Sequence, residues 1–523
     1  MTRTQNSLFN FITGIISTLL IVLLSFITRS VFIRQLGTSY LGIEGYFTSI
    51  LSMLSLTELG FGSAIVFKLY KPIEEDNRAR IQVLMKFYRN VYFIVGWIVV
   101  GLGLCLIPFL PRLIKGYGEL LALGLNPVFL FLLYLFNSAS SYWFFAYKTS
   151  FISATQKSYV LTIVGYAITI AGCLAQILVL TCTHSFVLYV LVLIVQSLVR
   201  NLLYAYICDK RHPYLKEKVS DRVSKEELRG FFKDCSALLI YKINGVVISG
   251  TDSIILTGFI GLHATGLYSN YLAIKANLQS LLQTFTEAVR ASLGSIYSTG
   301  NLEWSRLIFR VTNFCAVWLF GVGGIGLAVL MDEFIELWIG TSFIVTSWTA
   351  NGVTVFTPLA LWIGIECYLN GQKICLNDFR STMGLFQEMK YRPILGMAIN
   401  LVVCLYLVPR AGIVGCVIST NCAAVVNLIF DPIIIHKHAL KQSPKGYFLR
   451  NILYKIVTIA AGLLSWWVCS LIPIPGIPGF IIHGIVCVFI PSAAFALCFF
   501  RTVEFRFLLN SAKTLLQRGD AAS

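Results

Sequence analysis

The chain has 523 residues, 57% of them hydrophobic and only 12% charged, with a mean hydropathy of +0.78. Soluble domains carry about 25% charged residues, so this composition excludes a water-soluble globule and defines an integral membrane protein. A net charge of +17 raises the possibility of nucleic-acid binding, which the placement of the charges along the chain rejects.

A helix needs about 20 apolar residues to cross the hydrocarbon of a bilayer. Runs of that kind fall at 8–33, 41–67, 88–110, 123–146, 158–181, 185–207, 236–260, 265–289, 308–330, 348–372, 393–409, 413–435, 452–472 and 479–500. They predict an all-α protein of about fourteen transmembrane helices. The first run exceeds the roughly 7–15 apolar residues of a signal peptide, and Thr28-Arg29-Ser30 follows it in place of a cleavage site. It therefore reads as the first span. Fourteen cysteines are scattered without a Cys-x-x-Cys pair, and Cys105, Cys173, Cys404, Cys416 and Cys487 lie inside apolar runs. They read as small hydrophobes, so no disulfide framework, metal site or cofactor is expected.

Basic residues collect on the cytoplasmic side of membrane proteins. With an even number of spans and the N-terminus inside, 34 of the 41 lysines and arginines fall in cytoplasmic segments. The richest are 68–89 and 200–233. The opposite side holds Arg112, Lys115 and Arg410, while Lys242 and Lys275 fall inside spans. The basic excess is thus a topology signal, with both termini cytoplasmic. Arg29 and Arg34 stand out, because they sit at the outward end of the first helix. An arginine in mid-bilayer costs about 2.5–3.5 kcal/mol on insertion scales. Snorkelling to the outer headgroups is one reading of both.

The basic segment "CDKRHPYLKEKVSDRVSKEELRGFFKD" (208–234) divides the chain, and a repeat spans it. "LGTSYLGIEGYFTSIL" (36–51) resembles "IGLHATGLYSNYLAIK" (260–275), with Gly37/Gly42 and Gly261/Gly266 in Gly-x4-Gly pairs. Each pair opens the second helix of its half. Two six-helix units of even parity share one orientation. The expected organisation is an N-terminal six-helix lobe at 1–207, a basic cytoplasmic linker at 208–235 and a C-terminal six-helix lobe at 236–436. Two additional helices at 437–500 and a cytoplasmic tail at 501–523 complete it.

Helical spacing of about 100° per residue places Glu44, Thr48, Ser52, Ser55 and Glu58 on one arc of helix 2. Lys275, Gln279, Gln283, Thr286 and Arg290 share a narrower arc of helix 8, with Glu287 at its margin. Helix 7 carries Lys242, Asn244, Ser249, Asp252 and Ser253. Interhelical hydrogen bonding alone would account for single Ser and Thr residues. A stripe with a lysine and two glutamines would be costly against lipid and points to a water-filled cavity. Arg29, Arg34, Lys275, Gln279, Gln283 and Arg290 are therefore the candidate substrate-binding residues, and paired cations suit a phosphate or pyrophosphate. Glu58, Asp252 and Glu287 are candidates for ion coupling or counter-charge. No Walker A pattern offers direct ATP use. "GVGGIG" (321–326) matches Gly-x-Gly-x-x-Gly, but it lies mid-span with no strand before it and reads as close helix packing.

The stretch "RSVFIRQLGTSYLGIEGYFTSILSMLSLTELGFGSAIVFKLYKPI" (29–73), then "LMKFYRNVYFIVG" (84–96), "PFL" (108–110) and the whole pattern of spans resemble the Wzx-like polysaccharide flippases. These belong to the multidrug/oligosaccharidyl-lipid/polysaccharide exporter superfamily. The resemblance implies a two-lobed, MATE-like fold with a central cationic cavity and alternating access. It implies a polyprenyl-pyrophosphate-linked oligosaccharide as substrate, moved to the outer leaflet of a bacterial plasma membrane for surface polysaccharide such as O-antigen or capsule. Membrane lipids, H+ or Na+, and other polysaccharide-assembly proteins are the partners it implies. Related lipid II flippases carry a basic residue late in helix 1 before a glycine turn, where this chain has Arg29 ahead of Gly37. They use another basic residue in helix 8, where this chain has Lys275.

Two other readings compete. A multidrug cation antiporter of the same superfamily would line its cavity with carboxylates and aromatics, against which Arg29, Arg34 and Lys275 speak. A membrane-embedded polysaccharide polymerase or ligase would need a sizeable outer loop with acid/base residues. The longest such loop, about 331–347, holds no histidine, so a non-enzyme is expected.

Overall fold

A computed structural model describes residues 3–55, 61–217 except 116, 123, 146 and 156, then 245 and 250–294. It further describes 302–383 except 346, 351, 352 and 357, and 385–510 except 386, 387 and 390. Of the expected linker, only 208–217 falls among them. By compactness the chain divides into two units, one of residues 20–266 and one of 1–19 with 267–523.

The unit of 20–266 is helical throughout its described residues. Helix α1 (Arg3–Leu36) enters it at residue 20 and is followed by α2 (Thr38–Leu54), α3 (Phe61–Glu74) and α4 (Arg78–Leu106). Two short helices follow, α5 (Leu110–Leu113) and α6 (Tyr117–Ala122), then α7 (Pro127–Trp143), α8 (Tyr147–Ala154), α9 (Ser158–Thr183) and α10 (Phe186–Arg211). Residues 250–259 are also helical. The helix starts are chemically specified. Asn77 accepts from Arg80 N at 3.0 Å to cap α4, and Asn126 accepts from Val128 N at 3.0 Å ahead of Pro127 to cap α7. Such side chains satisfy backbone donors that a helix leaves unpaired. The fourth expected span, 123–146, is occupied by α7, and α8 follows it at an inclination of 46° to make a bent pair. Antiparallel α9 and α10 pack on each other, α4 on α7 and α3 on α8.

The other unit takes α11 (Leu262–Gly294) from residue 267 onward. It continues with α12 (Leu302–Ile339), α13 (Leu359–Thr382), α14 (Arg392–Ala411), α15 (Ile413–His438), α16 (Lys445–Ser470) and α17 (Gly476–Phe499). The tenth span expected at 348–372 begins later. Ser347–Ala350 pairs antiparallel with Val353–Phe356, and the helix starts only after Pro358. The sequence explains this: β-branched residues flank Asn351-Gly352, the pair that favours two-residue hairpins. "GVGGIG" lies within α12 and packs a helix crossing, as its position mid-span implies. A Cβ on Gly324 would come within 2.7 Å of the Gly364 carbonyl oxygen of α13. Only glycine allows that approach.

Among the described residues, nine helices are long and apolar enough to cross a membrane, ten if the bent pair is one span. The protein is a multi-pass membrane protein.

Candidate functional site

Within 20–266, the end of α1 is held against the start of α10 by aromatic rings. Phe32 packs edge-on against Tyr189 at 4.9 Å and against Phe186 at 5.9 Å. One helical turn before Phe32, Arg29 is half-buried and has Glu44 of α2 and Tyr189 as electrostatic neighbours. The Tyr189 hydroxyl donates to Glu44 Oε1 at 3.2 Å. A cation, a carboxylate and a phenol from three helices thus meet at one place. Arg34, five residues on, is exposed.

The turn after α1 realises the glycine repeat. Gly37 and Gly261 both adopt positive φ, 91° and 125°, a region in which residues with a Cβ are strained. Five residues later the helices cross at their own glycines. A Cβ on Gly42 would collide with the Leu262 carbonyl, and one on Gly266 with the Thr38 carbonyl. The Thr38 hydroxyl lies 2.9 Å from His263 Nδ1. The contact is reciprocal, each repeat's first helical turn seating against the other's. Further along α2, Ser55 pairs with Ser138 at 3.3 Å, Ser52 turns back to Ser49 O and Thr48 is exposed. Asp252 and Ser253 are buried. Glu58, Lys242, Asn244 and Ser249 lie outside the described residues.

In the second unit, Lys275 is not free. Its Nζ donates to both carboxylate oxygens of Glu366 on α13 at 2.8 Å, and Glu366 is only 4% exposed. Gln279, one turn further, is half-buried beside Cys367, while Gln283 is exposed and the Thr286 hydroxyl turns back to Leu282 O at 2.7 Å. The side chains of Arg290 and Glu287 lie outside the described residues. A second buried ion pair joins Arg392 to Asp431 at 2.9 Å, and Lys373 donates to Asn370 Oδ1 at 3.1 Å.

Sequence reading placed Glu44 on the polar face of helix 2 without giving it a role, and it passed over Glu366 and Tyr189. Glu366 sits in the stretch "WIGIECYLNGQK" (362–373). A lone glutamate in an apolar run is itself a signal, because its burial demands a partner. Tyr189 carries no such signal, since tyrosines are frequent throughout these helices.

Searched by sequence, the chain matches no protein-family model and no curated protein. Compared as a structure, it is similar to the lipid II flippase MurJ in an inward closed conformation. The TM-score is 0.67 at 14% identity, covering 93% of this chain and 99% of that one. It is also similar to an inward-facing multidrug resistance MATE family transporter of the MOP superfamily, with a TM-score of 0.54 at 13% identity over 80% of this chain and 95% of that one. A mutant of the Vibrio cholerae MATE transporter VcmN gives 0.53 at 13% identity, over 85% and 99%. The chain therefore has the MATE-like, all-α fold shared by a lipid flippase and multidrug transporters.

Proposed function

We propose that this protein is a flippase that moves polyprenyl-pyrophosphate-linked oligosaccharide repeat units across the bacterial plasma membrane by alternating access. The fold is compatible with lipid flipping, and Arg29 is the observation that carries the reading. An arginine late in a membrane helix costs several kcal/mol unless it has partners. Here α2 and α10 supply a carboxylate and a phenol to keep it charged in place. Arg29 binds the pyrophosphate, Glu44 and Tyr189 orient its guanidinium, and Lys275 provides a second cation. Arg34, Gln279, Gln283 and Arg290 complete the polar pathway for the sugars, and the polyprenyl tail stays in lipid.

The Lys275–Glu366 pair supplies a route to ion coupling. A pyrophosphate competes with Glu366 for the ammonium, and a coupling cation bound by the carboxylate releases the lysine to the substrate. Glu58, Asp252 and Glu287 remain further candidates for that role. Buried carboxylates also favour a second reading, a multidrug cation antiporter. Against it, both Glu44 and Glu366 have a cationic neighbour, which reduces their attraction for a cationic drug.

Export of surface polysaccharide in cells lacking the native protein tests the proposal. Arg29→Ala is expected to abolish export with the protein still abundant in the membrane, and Arg29→Lys to restore part of it. Normal export by Arg29→Ala would reduce Arg29 to a headgroup anchor and overturn the mechanism. Resistance to organic cations conferred by the wild type, and lost in Glu44→Gln, would instead favour the antiporter.

A further inference from the structure

A cavity of about 340 Å³ opens in the unit of 20–266, away from the Arg29 cluster in sequence and in chemistry. Three separate segments build it: the turn between α3 and α4, the end of α8, and the residues after α10. These are parts of three of the basic segments that the charge distribution assigns to the cytoplasmic side. The floor is apolar, formed by Ile81 and Phe151, which are 2% and 1% exposed. The polar and aromatic lining includes Arg78, Arg211, His212 and Tyr214, with one carboxylate, Asp76.

This lining is held in place before anything binds. His212 stands edge-on to Phe151 at 5.0 Å and to Tyr214 at 5.9 Å. The Arg78 guanidinium lies over the Tyr214 ring at 5.5 Å, and Gln82 ties the backbone of that turn to α4 by donating to Tyr214 O and to Glu217. The acidic groups nearby are largely matched. Asp209 is bound by Lys148 at 2.6 Å and by Lys216 at 3.6 Å, and Asp76 lies 3.4 Å from Arg78. Among the lining residues Arg78 and Arg211 outnumber the one carboxylate, Asp76, and burial first, then Lys157 and Arg211, push the His212 imidazole below its ordinary value.

We propose that this cavity binds a phosphate-bearing anion, its phosphate between Arg78 and Arg211 and its organic portion against Ile73 and Pro213, the accessible apolar residues of the lining. Guanidinium groups suit phosphate because their planar donors pair with two oxygens at once. Two sources share this chemistry, the headgroup of an anionic phospholipid in the cytoplasmic leaflet and a soluble phosphate ester. The site is independent of the transport reading.

The test is native mass spectrometry of the full chain in neutral detergent, titrated with phosphatidylglycerol, with phosphatidylcholine, and separately with sn-glycerol 3-phosphate. Phosphatidylglycerol is expected to bind more tightly than phosphatidylcholine. Arg78→Ala and Arg211→Ala should each weaken it about tenfold, the scale of one charge-assisted hydrogen bond. Arg211→Lys should recover part of the loss, and Arg112→Ala, at an exposed arginine outside the cavity, should bind as the wild type does. Equal sensitivity of glycerol 3-phosphate to the same variants identifies a soluble ester as the ligand, and its failure to bind identifies the lipid. Binding unchanged in both cavity variants, an equal loss in Arg112→Ala, or no binding of either phosphate probe would overturn the proposal.

Discussion

Lys275 shows how a charge survives inside the membrane. Its ammonium and the Glu366 carboxylate neutralise each other at 2.8 Å, and both are largely removed from water. Removing one partner of a buried pair leaves a charge uncompensated and costs about 3–5 kcal/mol, whereas replacing both can be nearly neutral. Lys275→Met and Glu366→Gln should therefore each lower the thermal stability of the purified protein, and the double variant should regain most of the loss. If the double variant loses the sum of the two single effects, the residues act separately and the pairing carries little energy. Transport separates their roles further. If the lysine is needed for a pyrophosphate, the stable double variant fails to transport; if it serves only packing, the double variant transports.

Helices in lipid gain little from hydrophobic burial against one another, so close backbone approach takes its place. Two crossings show this, Gly42 and Gly266 against the opposing carbonyls of Leu262 and Thr38, and Gly324 against Gly364. An added methyl group at either crossing meets backbone, which cannot rotate away. Gly42→Ala and Gly324→Ala are each expected to cost about 1–3 kcal/mol, the range of overpacking, read as a lower midpoint of thermal unfolding in detergent. Gly326→Ala is the control, since open space surrounds that position, and it should be silent. The Gly-x4-Gly repeat was legible in the sequence because glycine is rarely placed twice at one spacing without cause. Which backbone carbonyl each glycine meets was not legible, because sequence spacing does not set the depth at which two helices cross.

At the scale of the whole molecule, charge distribution and fold make one joint prediction about topology. In a cysteine-free background, His184→Cys, between α9 and α10, should react with a membrane-impermeant maleimide in intact cells. Lys157→Cys, at the opposite end of α9, should react only after permeabilisation. Reversed labelling would invert the orientation that the basic residues imply. The sequence by itself determined the membrane class, the succession of long helices, the glycine repeat and Arg29 as an unusual cation, since hydropathy and charge are properties of short stretches. Tertiary structure decided the rest. It replaced the start of one expected span with a β-hairpin, supplied Glu366 and Tyr189 as partners, and assembled the cationic cavity from three segments separated by more than fifty residues each. Partners of that kind are chosen by helix packing in three dimensions, where residues distant in the chain become neighbours.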